Sequence, residues 1–199
     1  YSGTDFSRRD RFVDLGFFEI DDDVVHAFDQ ALTRLGDAGV ELVPVDLGWG
    51  AEIVDAWYDY WCVYLAAAAE DLLADHRQVM DPEFLALVDR GLSMSAVEFR
   101  RLDEIRTQQW RQFSSVMKGF DALLCPTMAL PAPPIDASED DFTSVNANGK
   151  LAGLDMTCMF NSIGQCPALS VPSGLSKDGL PTAIQIIGKR FDDATKLII

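Results

Sequence analysis

Helical apolar spacing fills most of the first 120 residues of this 199-residue chain, whereas the remainder carries short unbroken apolar runs fenced by proline and glycine. A helical stripe and a fully apolar run each need cover, and the arrangement that supplies both is an α/β layer structure. Residues 22–38 open with Asp22-Asp23, place Val24, Val25, Phe28, Ala31, Leu32 and Leu35 at helical spacing, and close with Gly36 and Gly39. Acids at the start suit the positive end of a helix dipole. Residues 51–75 carry Ile53, Val54, Trp57, Tyr60, Trp61, Tyr64, Leu65, Ala68 and Leu72 on one broad stripe, read as core. Asp81-Pro82 supplies an N-cap and a proline at the first helical position, and Gly91 is expected to end the short helix that follows. Ser95-Ala-Val-Glu98 is a capping box. Behind it, Val97, Phe99, Leu102, Ile105, Phe113, Val116 and Met117 predict a continuous buried side up to Gly119.

The strand expectations are shorter. Glu41–Leu47 reads as a strand after the first helix, at a sheet edge or bulge because Pro44 lacks a donor. Ala122–Cys125 reads as a strand covered on both faces. Pro126, Pro131, Pro133 and Pro134 then open an irregular segment to about Gly153, of a length that compact domains usually reserve for functional or mobile loops. A helix packed by Met156, Met159 and Phe160 is expected over 154–161, and a strand over Ala168–Pro172, ended by the proline. The turn Lys177-Asp178-Gly179 leads into a strand over Thr182–Gly188, which makes these two strands neighbours. Asp192-Asp193 caps a last helix that reaches Ile199 without a stop signal, so the chain is expected to be cut inside it.

Charge and motif content remove several functions. Acidic residues number 32 against 16 basic, a formal balance of −16. The first hundred residues hold 21 acids and 7 bases (−14) and the rest 11 and 9 (−2), so the acidity belongs to a solvated helical surface. Direct nucleic-acid binding is not expected of such a chain. No apolar run approaches the roughly 18 residues of a membrane span, and the N-terminus lacks the apolar core of a signal peptide. Cys62, Cys125, Cys158 and Cys166 include no Cys-x-x-Cys pair, and His26 and His76 stand 50 positions apart. Zinc spacing is therefore absent, and four reduced, buried thiols in a cytoplasmic protein are expected. Gly91-Leu-Ser93-Met-Ser95 has serine where a nucleophile elbow needs its last glycine, and no phosphate loop or dinucleotide fingerprint exists. No metal or other cofactor is expected. Both histidines read as structural or solvated, and Glu139-Asp140-Asp141 as soluble loop surface rather than a catalytic acid pair.

The last third combines short signatures in a fixed order: Phe120-Asp-Ala-Leu-Leu-Cys-Pro-Thr127, Phe160-Asn161-x-x-Gly164, Pro167-Ala-Leu-Ser-Val-Pro-Ser-Gly174 and Gly179-Leu-Pro-Thr-Ala-Ile-Gln-Ile-Ile-Gly188. Together with the long helices before them, from about Val13 to Ile199, they resemble the closing segments of the amidase signature family. The resemblance implies a three-layer α/β/α fold with a mixed central sheet, present only as its C-terminal part. Residues 1–12 would be an irregular N-terminal segment, 13–120 a mostly helical outer layer, and 121–199 the sheet and pocket wall of one amidase-type domain.

Family members hydrolyse linear amides with a serine nucleophile, a second serine in a cis peptide and a lysine, all in a Gly/Ser-rich stretch of the N-terminal half. This chain has no such stretch. Ser114-Ser115 lies inside a helix, and none of Lys118, Lys150, Lys177, Lys189 and Lys196 precedes a Ser/Gly tract. The resemblance thus supplies no catalytic residue here and implies a small-molecule amide substrate, the missing N-terminal half as partner, and no activity for this chain alone. Thr127, Met128, Asn161, Ile163 and Gly164 match pocket-lining positions that face the acyl portion, with core packing as the competing reading of Met128 and Ile163. Gly164-Gln-Cys-Pro167 is one residue longer than the family's usual glycine-x-proline, which leaves the register around Gln165 and Cys166 open. Uncovered sheet edges predict dimerisation or aggregation, a homodimer included, unless the other half is supplied. The alternatives are the glutaminase subunit of a tRNA-dependent amidotransferase, whose RNA contacts fall mostly to partner subunits, and a non-catalytic assembly module without a pocket.

Overall fold

The structure is a computed structural model and describes residues 13–193. The chain forms two compact units, one made of residues up to 51 together with those from 111 onward, the other of residues 52–110.

In the first unit, helix α1 (Asp22–Asp37) starts where Asp21 accepts a hydrogen bond from the Asp23 amide at 2.8 Å. It ends as Ala38 N–H donates to the Arg34 carbonyl and Gly39 turns left-handed at φ +92°. Strands β1 (Ala122–Pro126), β2 (Ala168–Leu175) and β3 (Pro181–Gly188) form a sheet in the order β1-β3-β2, antiparallel throughout. Helix α1 packs against this sheet, with Val13, Phe28, Ala31 and Ile184 at the centre of the contact and Val25, Leu32, Leu124 and Val171 around it. Arg34 fastens its end by donating to the Ser173 carbonyl at 2.7 Å. Helices and sheet together make an α/β unit, and the three strands described form an antiparallel sheet.

Two strand expectations change. Residues 40–50 hold no strand, and Val40 and Val43 are exposed. A strand needs a hydrogen-bonded neighbour, and the described sheet pairs only β1, β2 and β3. Strand β2 does not stop at Pro172 but continues to Leu175 through a register shift between Pro172 and Gly174. Among the described residues it lies at the edge of the sheet, where a missing donor is tolerated. The turn behaves as read: the Ser176 amide donates to the Leu180 carbonyl at 2.8 Å and the Gly179 amide to Ser176 at 2.9 Å. The helix expected over 154–161 is a short α5 (Cys158–Ser162), with Met156, Met159 and Phe160 all buried. The capped helix expected after Asp193 lies outside the described residues.

The turn before α1 is tied down from a distance. Asp14, almost fully buried, accepts from the Gly16 amide and pairs with Lys150, whose ammonium also donates to the Gly16 carbonyl at 3.1 Å. Leu151 N–H donates to the Phe17 carbonyl at 2.7 Å, Glu19 N–H to Leu151 at 2.8 Å and Asp21 N–H to Ala129 at 2.9 Å. A partly buried ion pair and three backbone bonds therefore hold residues 14–21 against the long loop.

In the second unit, α2 (Glu52–His76) and α3 (Pro82–Ser93) form a hairpin, and α4 (Ala96–Val116) contributes its residues through 110. Asp81 caps α3 by accepting from Glu83 and Phe84, and Ser95 and Glu98 exchange the bonds of a capping box. Gly91 does not end α3, which runs two residues further. It lies where the two helices touch: a Cβ there would stand 2.1 Å from the Cys62 carbonyl oxygen. The apolar stripe of α2 is broader than its contact face, since Tyr60 and Cys62 are buried while Trp61, Tyr64 and Leu72 are exposed. The expected buried side of α4 is likewise interrupted, with Val97 exposed and Leu102, Phe113 and Met117 buried.

Tyr60 donates to Asp103, which also pairs with Arg100 and Arg106. Burial and this bond raise the Tyr60 phenol to about 12, and the same phenol, with the two arginines, holds the Asp103 carboxyl below its usual range. The signs give two limits. A raised phenol contributes stability below its unfolded pKa near 10, lost as pH climbs towards 12; a lowered carboxyl contributes above about pH 4, lost as pH falls further. Tyr60→Phe is expected to blunt the alkaline loss of helical signal in a pH titration by circular dichroism. An unchanged alkaline limb would contradict this role.

Candidate substrate-pocket wall

The residues singled out for a pocket lie on two segments of the first unit that run side by side. Leaving β1, Thr127 donates its amide to the Ala183 carbonyl at 2.9 Å, and its hydroxyl lies 2.9 Å from that of Ser170 on β2. Met128 then bridges to Asp155, and Ala129 N–H donates to the Leu154 carbonyl at 2.9 Å. That second segment leads through Asp155, which accepts from the Thr157 amide at 2.7 Å, into α5 with Asn161. Thr127 and Met128 are half-buried, Asn161 and Gly164 exposed, and Ile163 buried at 3% exposure. The β1 exit and α5 are thus brought into one neighbourhood, and Ile163 packs in the core beneath it.

Gln185 holds the neighbourhood together. It sits on β3 at 2% exposure and donates both amide hydrogens, to the Pro126 and Met156 carbonyls, each at 3.0 Å. One side chain thereby satisfies two buried acceptors on the two segments. A glutamine flanked by isoleucines, Ile184-Gln185-Ile186, is the signal the sequence carries for it. The longer Gly164–Pro167 stretch closes as a turn: Cys166 N–H donates to the Ile163 carbonyl at 3.1 Å, Phe191 N–H to Gln165 at 2.9 Å and Gly188 N–H to Pro167 at 3.0 Å. Trp49 backs α5 through Phe160, with ring centroids 5.4 Å apart, and Phe113 completes the aromatic cluster.

Several of the lysines and serines are otherwise engaged. Lys150 pairs with Asp14, Lys177 with Asp23 at 4.0 Å and Lys189 with Asp121 at 3.8 Å. Ser114 donates to the Arg111 carbonyl one turn back, and Ser162 to Met159. All four cysteines are buried, and no disulfide joins them. Burial drives the Cys125 thiol far up and that of Cys158 to about 12, so neither supplies thiolate at neutral pH. His26 is exposed beside Gln30, at 2.9 Å, and His76 is exposed at the end of α2. Among the described residues no His, Cys, Asp and Glu groups converge as metal ligands, and no helix is long and apolar enough to cross a membrane.

A separate surface groove of about 850 Å³ lies in the proline loop, between Pro131–Pro134, Phe142 and Leu180, and bears Asp21, Asp136, Asp141 and Asp178. None of the five expected pocket residues lines it. Four separated segments build it, so no local motif announces it.

Helices on an antiparallel sheet, with Gln185 joining two of the segments beside it, make a unit of α/β class. The sequence model of the Amidase family matches residues 12–197. The chain belongs to the amidase signature family. It is 25% identical over 186 residues to an acylamidase of Rhodococcus erythropolis, covering 92% of this chain and 39% of that one. Over 97 residues it is 37% identical to a glutamyl-tRNA(Gln) amidotransferase subunit of Shouchella clausii, covering 49% of this chain and 19% of that protein. The crystal structure of a bacterial aryl acylamidase of the family superposes with a TM-score of 0.77 and 26% identity, over 94% of this chain and 40% of that one. The chain therefore spans no more than about two fifths of these relatives' length.

Proposed function

We propose that this chain is the C-terminal part of a single amidase-type domain that hydrolyses linear carboxamides through a serine acyl-enzyme, with the Ser-Ser-Lys group supplied by polypeptide outside it. The observation that carries this reading is the family match across residues 12–197. Residues 13–120 serve as its helical layer and 121–199 as sheet and pocket wall, with Thr127, Met128, Asn161 and Gly164 on the acyl side and Ile163 packed beneath them. Acyl transfer requires an activated nucleophile and an oxyanion hole, and the ion-paired lysines and carbonyl-bonded serines support looking for them elsewhere. A cytoplasmic location is supported by the four buried thiols.

The purified 199-residue chain is expected to release neither ammonia nor aromatic amine from simple aliphatic amides or anilides, and co-expression with an N-terminal half from an acylamidase relative to restore turnover. Contaminant-free turnover by this chain alone would overturn the placement of the nucleophile. A second reading, a glutaminase subunit of a tRNA-dependent amidotransferase, is favoured by the 37% identity over 97 residues. Under it the completed domain releases ammonia from glutamine in preference to anilides.

A further inference from the structure

One face of α2 is apolar and open to solvent. The helix already meets two neighbours within its unit: Ala66 and Ala69 pack with Val88 of α3, and Ala56 and Tyr60 with Leu102 of α4. A third side carries Val54, Trp57, Trp61, Tyr64, Ala68 and Leu72, spaced three or four residues apart. That is the spacing of a helix–helix seam, sustained over about 27 Å. Trp61 is 45% exposed, Tyr64 60% and Leu72 50%. The Trp57 and Trp61 rings stack, with centroids 6.1 Å apart. Single apolar residues on a surface are ordinary, whereas a contiguous aromatic stripe marks an interaction site. No charge interrupts the seam until Asp71 and Asp75, which follow Tyr64 and Ala68 by seven residues each.

We propose that a second copy of the chain docks on this face, its α2 lying antiparallel on the first about a two-fold axis between Trp61 and Tyr64. The stripe is complementary to itself in that arrangement. Trp61 of one copy meets Tyr64 of the other, and Trp57 meets Ala68, large against small. Charge fixes the direction. Parallel pairing would set Asp71 on Asp71 and Asp75 on Asp75, which is costly, and would align the two helix dipoles. Antiparallel pairing carries both acids past the apolar segment to the start of the other α2, the positive end of its dipole. Glu52 and Asp55 lie round that helix from the seam. With about 200 Å² for a whole aromatic side chain, Trp61, Tyr64 and Leu72 leave on the order of 300 Å² open per copy. Doubled, and with Val54, Trp57 and Ala68 added, the contact buries on the order of 1,000 Å², the lower bound of a specific, weak dimer. An anionic lipid surface is disfavoured by the −14 balance of the first hundred residues. The proposal uses no residue of the suggested amide pocket and stands apart from the hydrolase reading.

Sedimentation velocity on the full 199-residue chain, over about 1–100 μM, is expected to show a monomer–dimer equilibrium with a micromolar Kd. Trp61→Glu/Tyr64→Glu should weaken it about 50-fold or more while the helical circular dichroism stays unchanged, because both side chains are exposed. Leu175→Glu, at the exposed end of β2, should leave it unchanged, which separates this contact from pairing of sheet edges. Mild oxidation of a mixture of Trp57→Cys and Ala68→Cys chains should cross-link one to the other. Ala68→Cys alone should not cross-link, since its two copies would stand about 16 Å apart along the helices. The dimer is expected to persist when an N-terminal half from an acylamidase relative is bound. A monomer at about 100 μM, an association that survives Trp61→Glu/Tyr64→Glu, failure of the mixed cross-link, or a dimer displaced by the bound N-terminal half would overturn the proposal.

Discussion

Gly91→Ala is expected to break apart the α2–α3 hairpin, at a cost of about 3 kcal/mol or more. The added methyl would stand 2.1 Å from the Cys62 carbonyl oxygen, 2.6 Å from its carbon and 2.9 Å from the Ala66 Cβ. Two of these three atoms are helix backbone and cannot rotate away, so α3 must move bodily from α2. Val88, Ala66 and Ala69, the buried residues of that contact, would lose their packing together. Ordinarily the same substitution within a helix is favourable by up to about 1 kcal/mol. Gly36, near the end of α1 with nothing within 4 Å of its would-be Cβ, provides the comparison inside the same molecule. Urea midpoints should fall steeply for Gly91→Ala and hold or rise for Gly36→Ala; equal midpoints would mean that the helices separate freely.

Gln185→Leu should be nearly as damaging, for a reason unrelated to size. Leucine fills much of the same space but leaves the Pro126 and Met156 carbonyls buried without donors. Each orphaned acceptor costs about 1–3 kcal/mol, so a loss of about 2–5 kcal/mol is expected. Gln185→Glu should be no better, because a carboxylate offers acceptors where donors are needed. The segments that lose their common anchor are those bearing Met128 and α5, so protease sensitivity between 127 and 162 is expected to rise before the rest of the chain yields. A Gln185→Leu chain with an unaltered denaturation midpoint would remove the clamp from the account.

Legibility in the sequence follows distance along the chain. Caps are readable at Asp81 and Ser95 because they act on amides two or three positions away, whereas the cap of α1 is Asp21, one residue before the acids read as its start. The β2–β3 hairpin is readable for the same reason, since Lys177-Asp178-Gly179 sits between two apolar runs. Glu41–Leu47 misleads because apolar content predicts a strand but not the neighbour it must pair with. Gly91 imitates a helix end because its reason lies 29 residues back, at Cys62. Of the candidate site, the ordered motifs locate the β1 exit and α5. They do not reveal Gln185 as their link, whose partners are 59 and 29 positions away. Nor do they reveal the acidic groove, assembled from α1's start, the proline loop and the hairpin turn.

The interruption of one unit by the other bears on how the chain acquires its structure during synthesis. Residues 52–110 are contiguous, and their α2–α3 hairpin joins helices adjacent in sequence, whose contacts are closer along the chain than those between α1 and the sheet and form sooner. The other unit cannot close until residues beyond 111 exist, because the Val13 and Phe28 core needs Ile184, and Asp14 needs Lys150. On a ribosome, α1 would therefore wait with its apolar face uncovered while the α2–α3 hairpin forms. A prefolded hairpin shortens the loop to be closed, which lowers the entropy lost when α1 meets the sheet. Gly91, far from that sheet in sequence, would in this way set how long the nascent chain stays open to aggregation.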